Sequence, residues 1–223
     1  MASRLGRRIS RAESDKPQPF VLPVFSRLPF VHFLFYKGTM YDARAVSNFF
    51  YHRARRAGLP LTVMTLLKVL YFAHGWHLAK FGTPLVAQPF EAWKHGPVNR
   101  VVYDQFKKFG KRPIDKEAVS LDPITASFIP TPYKFSTDVE SLLEHIFDYY
   151  AKFHAFTLSE LTHERGGPWD QIWTQAQFRA VPGMHIPNNL ILDWFLRGRS
   201  DYSTHRERGD IDGSADPTYS ASS

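Results

Sequence analysis

Three observations predict a mainly α-helical chain: a compact multi-helix single domain around a buried central helix, with a small β element. First, Thr62 to Phe81 is apolar almost all the way round, the pattern of a helix enclosed by other helices. Second, the flanking segments carry apolar stripes at three- and four-residue spacing. Third, the best strand-like stretch, Leu85 to Trp93, is short and carries Pro89, so it reads as an edge strand or extended loop.

The central segment has marked ends. Thr62 is placed to cap it, and Gly82 and Pro84 stop it. Thr65, Lys68, His74, Gly75, His77 and Lys80 interrupt the apolar run below the roughly 18–20 residues of a membrane span. Residues 1–39 precede the domain. Residues 1–19 are basic and polar, with the composition of disorder. Residues 20–36 are apolar but broken by Pro23, Arg27, Pro29 and His32, unlike the uninterrupted core of a secretory signal. Lys37-Gly38 can be encoded as a purine-rich ribosome-binding sequence just upstream of Met40. The domain is therefore expected to start at Met40, with residues 1–39 a misannotated start or a dispensable extension.

From Met40 the elements follow in order. Asp42 to Ala57 is a helix with Val46, Phe49, Phe50, Ala54 and Ala57 on one face, ended by Gly58. Arg53, Arg55 and Arg56 close it, where cations complement the helix dipole. After the central helix, His95-Gly96-Pro97 reads as a turn. Val98 to Phe109 reads as a helix burying Val98, Val101, Val102, Phe106 and Phe109. Residues 111–136 hold four prolines and read as a long irregular connection with one short strand at Ser127–Ile129. Ser136 or Thr137 caps a helix with Val139, Leu142, Leu143, Ile146, Phe147 and Tyr150 inward. Thr157 to Glu160 matches a capping box opening a short helix to about Glu164. Pro168 to Gln177 is a further helix with Trp169, Ile172, Trp173 and Ala176 inward. Ile186-Pro187 opens the last one, striped by Leu190, Ile191, Trp194 and Phe195. Beyond residue 197 the composition is that of a disordered tail.

Composition excludes several chemistries. With no cysteine there is no disulfide, thiolate metal site or cysteine nucleophile; this fits a cytoplasmic protein. The net charge of +7 suggests nucleic acid at first sight. Residues 1–39 carry seven basic and two acidic residues, however, leaving 21 basic against 19 acidic in the rest, an ordinary mixed surface. His74 and His77 are three apart and could share a metal, but a third ligand and the H-E-x-x-H pattern are missing, so they read as core or surface histidines. Lys68 is the lone charge in the middle of the central helix and reads as snorkelling to the surface or pairing with a carboxylate rather than as a catalytic amine. His163, Glu164 and Asp170 lack a partnered nucleophile and read as helix-end residues. No catalytic set, cofactor loop or metal site is expected. The tryptophans read mainly as core anchors, with some available to a protein-binding patch.

Five stretches together resemble the Panacea antitoxin domain family, which includes phage-associated GepA-like proteins and the SocA-like proteolytic adaptor. They are YDARAVSNFF (41–50), KVLYFAHGWHLAKFGTPL (68–85), PFEAWKHGPVNRVVYDQFKKFG (89–110), LSELTHERGGPWD (158–170) and IPNNLILDWF (186–195). The resemblance spans about residues 40–197. It implies a non-enzymatic antitoxin of a bacterial or prophage toxin–antitoxin pair, binding a cognate protein toxin encoded by an adjacent gene, and in some members delivering it to an AAA+ protease. The residues expected to meet the toxin are Trp93, Lys94, His95 and Tyr103 around the turn, and Trp169 beside Gly166-Gly167-Pro168. The rival reading is a DNA-binding regulator of its own operon, motivated by the Arg53, Arg55, Arg56 cluster and the basic residues 1–39.

Overall fold

The computed structural model describes residues 40–197, so the readings for residues 1–39 and for the tail lie outside the described residues. The fold is mainly helical with two small antiparallel sheets. Helix α1 is Ala43–Arg56, α2 Val63–Phe81, α3 Arg100–Phe106, α4 Thr137–Tyr150, α5 Ala155–Thr162 and α6 Pro168–Gln175; α7 spans 188–197. Strands β1 (Phe90–Trp93), β2 (Gly96–Asn99) and β5 (His185–Ile186) form one sheet in the order β2-β1-β5. Strands β3 (Val119–Leu121) and β4 (Phe128–Pro130) form a separate ribbon. No described helix is long and apolar enough to cross a membrane.

Helix α2 buries sixteen of its nineteen residues and packs against α1, α3, α4, α5 and β2. Its Thr62 cap accepts from the Thr65 amide at 3.3 Å. Gly82 ends it at φ 71°, a left-handed conformation that glycine adopts without the penalty of a Cβ. Aromatic rings fill the space around α2. Phe72 stacks on Tyr150 at 4.1 Å, and Phe195 of α7 stands edge-on to Trp76 at 5.2 Å. The α7 ring lies so close that a Cβ on Gly75 would fall 2.2 Å from it. Gly75→Ala is therefore expected to destabilise the domain by about 2 kcal/mol through overpacking, although Ala is the better helix former. A denaturant midpoint at or above wild type would refute this.

Helix α1 starts at its Asp42 cap, whose carboxylate accepts from the Arg44 amide at 2.8 Å. It buries Val46, Phe49, Phe50 and Ala54, but Ala57 is its exposed C-cap rather than part of the stripe. Asn48, fully buried, does what the pattern did not announce. Its amide donates to the carbonyls of Ala118 and Thr131 at 2.9 and 3.0 Å and accepts from the Ala118 amide at 2.7 Å, tying the irregular 111–136 connection to α1. Of the arginine cluster, Arg53 pairs with Asp148 at 2.7 Å and Arg55 donates to the Tyr51 hydroxyl at 3.1 Å. These contacts suit a helix end.

The sheet departs most from expectation. Strand β1 is central rather than an edge, because Pro89 lies just before the paired span and removes no ladder donor. Pro97 belongs to β2, where an edge strand tolerates it; the turn is Lys94-His95, with Trp93 opposite Gly96. Val98 is consequently a strand residue. Helix α3 begins later than predicted, at Arg100, capped by Asn99, and passes into a 3-10 turn at Lys107–Phe109; Val101 is only half-buried. The expected strand near Ser127–Ile129 is β4, and its partner β3 was not foreseen. Helix α5 starts before the capping-box match: His154 caps it, leaving Thr157 and Glu160 inside the helix. Helix α6 ends at Gln175, with Trp173 and Ala176 half-buried. Ile186 pairs with Phe90 in the sheet instead of opening the last helix, which begins after Pro187.

Candidate functional site

The β1–β2 hairpin is held by its carbonyls. The Trp169 indole of α6 donates to the Trp93 carbonyl at 2.8 Å. The Ser159 hydroxyl of α5 donates to the His95 carbonyl at 3.0 Å. Lys68 Nζ of α2 donates to the Pro97 carbonyl at 3.1 Å. Three helices thus grip three alternate residues of one short hairpin. Its turn residues, Lys94 and His95, remain exposed on a fixed base. Gly96 makes the grip possible: it takes φ 98°, and a Cβ there would fall 2.5 Å from Lys68 Nζ and 2.6 Å from the Thr162 hydroxyl.

Beside the hairpin lies a depression of about 280 Å³. Its walls are mainly apolar, and Val63, Met64, Leu67, Trp93, Val98 and Tyr103 contribute to them. Lys68, Lys94, His95 and Lys107 line it too, with no acidic side chain. Trp93 meets Tyr103 edge-to-face at 4.9 Å, and the Arg100 guanidinium covers its ring at 5.3 Å. The Trp93 indole is oriented by Glu91, which accepts its N–H at 2.7 Å while Arg100 donates Nε and Nη2 at 3.0 and 2.9 Å. Burial pushes the Glu91 carboxyl up, but these hydrogen bonds and the Arg100 charge outweigh it and hold the group below its ordinary value.

All five residues expected at the toxin contact gather here, in two different positions. Trp93, Lys94, His95 and Tyr103 line the depression. Trp169 is buried behind the hairpin, stacked on Trp173 at 5.3 Å and against His163 at 3.9 Å, and supports the hairpin from within. His163 Nε2 is buried with no hydrogen-bond partner, and burial, with the nearby Lys68 and His95 charges, lowers its pKa. Asp170 accepts from the Gly166 amide at 2.8 Å, a helix-end role like the one expected.

Lys68 contradicts its sequence reading. Its side chain neither snorkels nor meets a carboxylate: the residue is 2% exposed, and its hydrogen bond is to the Pro97 carbonyl. Burial lowers its pKa to about 7. The signal for this position was the helical spacing of Val63, Met64, Leu67 and Lys68, which puts two apolar turns and one amine on the same face. The Glu91–Arg100 pair was missed because nothing in the spacing joins a strand residue to the first turn of the following helix.

His74 and His77 are structural. The Val86 amide donates to His74 Nδ1 at 3.4 Å, which leaves Nε2–H to donate to Asn188 at 2.9 Å. His77 Nδ1–H donates to the Thr83 carbonyl at 2.7 Å. Burial lowers both pKa values to about 4. Among the described residues no three histidine, cysteine, aspartate or glutamate side chains are grouped to hold a metal.

Residues 66–170 match the family model described as "Antitoxin SocA-like, Panacea domain". The chain is 33% identical over 177 residues to "Antitoxin SocA" of Caulobacter vibrioides (strain NA1000 / CB15N), a match covering 79% of this chain and 94% of that protein. No solved structure matches.

Proposed function

The chain belongs to the SocA-like Panacea antitoxin family, and from that premise we propose that it neutralises a cognate protein toxin by direct binding. It acts without catalysis, in the cytoplasm, on a toxin encoded by an adjacent gene. The observation that carries the location is the braced hairpin: half-buried Trp93 and Tyr103 flank an apolar depression, with Lys94 and His95 exposed at its edge. Aromatic anchors at the rim of a pre-formed hollow are the residues on which protein–protein affinity usually concentrates. The whole interface would bury roughly 1,200–2,000 Å², with the depression as its centre. Neutralisation proceeds by occlusion of the toxin or by its delivery to an AAA+ protease, two routes that the co-expression below separates.

Co-expression with the adjacent gene tests this. The neighbour alone should arrest growth, and this chain should restore growth and co-purify with it. Loss of toxin that depends on a protease would identify delivery. Trp93→Ala and Tyr103→Ala should each weaken the complex by about 2 kcal/mol, roughly 30-fold, with the thermal midpoint little changed. Lys94→Ala and His95→Ala test the exposed turn. Trp169→Ala should act differently, lowering stability as well as binding, because that ring is core. A harmless neighbour that forms no complex refutes the assignment.

A further inference from the structure

The lining of the depression includes an uncommon group, the Lys68 amine. Lys68 Nζ is almost wholly enclosed, and an ammonium there has three donors. One meets the Pro97 carbonyl, and no carboxylate lies within ion-pair distance of Lys68 among the described residues. A buried charge without a counter-charge is costly, and an entering carboxylate removes that deficit. Among the described residues the lining carries Lys68, Lys94 and Lys107 and no acid; Lys107 is already paired with Asp104 at 2.8 Å, which leaves Lys68 and Lys94. At about 280 Å³ the space lies just below the range of small-molecule pockets and suits a single side chain. An acidic side chain has the right form: a methylene stem for apolar walls and two oxygens for an ammonium.

We propose that this depression is a carboxylate seat: an aspartate or glutamate side chain of the partner protein enters between Val63, Leu67, Val98 and Tyr103 and pairs with Lys68 Nζ. The partner's identity rests on the antitoxin reading; the chemistry of the seat does not. Trp93 and Tyr103 hold the segment around the acid, and Lys94 at the rim favours its approach.

Two measurements test the seat and the partner separately. The first uses the full chain alone and compares 3-phenylpropionate with its isosteric amide, followed through the Trp93 indole resonance. The carboxylate should bind at least ten-fold more tightly, and Lys68→Met should bring the ratio to about one. Lys68→Gln, which keeps a polar head without the charge, should do the same. Equal binding of the two probes, no binding of the carboxylate, or an unchanged preference in both variants would overturn the proposal. The second uses the complex with the neighbouring gene product. Replacing its aspartates and glutamates one at a time by Asn or Gln should reveal one that costs ten-fold or more against wild type and nothing further against Lys68→Met. If every such substitution is additive with Lys68→Met, the toxin does not use the seat. If wild type forms no complex, the antitoxin reading fails, and the phenylpropionate comparison still decides the seat.

Discussion

Lowering the pH from 7 to 4 is expected to remove about 6 kcal/mol of folding stability through two histidines alone. His74 and His77 are each 1% exposed and held neutral, with pKa values lowered to about 4 from 6.5. Between those values the unfolded chain binds more protons than the folded one, so stability rises with pH there and is lost as pH falls. Each shift is worth about 3 kcal/mol, and stabilities of whole domains are only about 5–15 kcal/mol. The loss should be complete near pH 4 and absent above pH 7. Carboxylates held low, such as Glu91, add their own loss further down. Denaturant midpoints measured across this range should slope steeply. His77→Gln, which does not titrate and still has a donor for the Thr83 carbonyl, should remove about half of the slope. Superimposable curves for wild type and variant would show that the histidines are not the cause.

Replacing Lys68 by Met is expected to raise stability by about 3 kcal/mol at pH 7. Burial lowers the amine's pKa to about 7 from 10.5, a penalty of up to about 5 kcal/mol, offset by about 2 kcal/mol for leaving the Pro97 carbonyl unpaired. The unfolded amine holds its proton up to about pH 10.5. Wild-type stability should therefore climb between pH 7 and 10.5, while the variant lacks that climb. For a domain of this size the thermal midpoint at pH 7 should rise by about 6–12 °C. A midpoint that falls would mean that packing around the amine outweighs its desolvation. A residue that weakens the fold and lines the depression is what a binding requirement leaves behind.

Much of the helical frame was legible because long-range packing agrees there with local periodicity. Thr62 and Gly82 bound α2 as their side-chain chemistry requires, and the inward stripe of α4 is buried at every predicted position. The hairpin was not legible in the same way. Local rules read His95-Gly96-Pro97 as a turn, yet only pairing with Phe90–Trp93 decides that Lys94 and His95 turn instead. Strand β5 is two residues long, and it is a strand only through its pairing with Phe90 and Glu91, more than ninety positions earlier. Trp93, Lys94, His95 and Tyr103 line one depression, and the sequence drew attention to them because they flank a chain reversal. The inward course of Lys68 was not, since spacing places a residue on a helix face but does not say whether a carbonyl or solvent waits at its end. Asn48 was silent for the same reason: its partners lie seventy and eighty-three residues away.

The late pairing of β5 also orders the making of the protein. Phe90 has its second strand neighbour at Ile186, and Tyr71 and Trp76 meet the ring of Phe195. A ribosome therefore releases the middle of the domain long before the segment that covers it. Closing a loop this long is slow compared with forming the hairpin or any one helix. A nascent chain lacking residues 185–195 leaves aromatic surface uncovered, the kind of species that aggregates or meets proteases first. Competent protein is therefore expected to accumulate only after translation through the last helix, and a chain truncated before His185 should give little soluble protein.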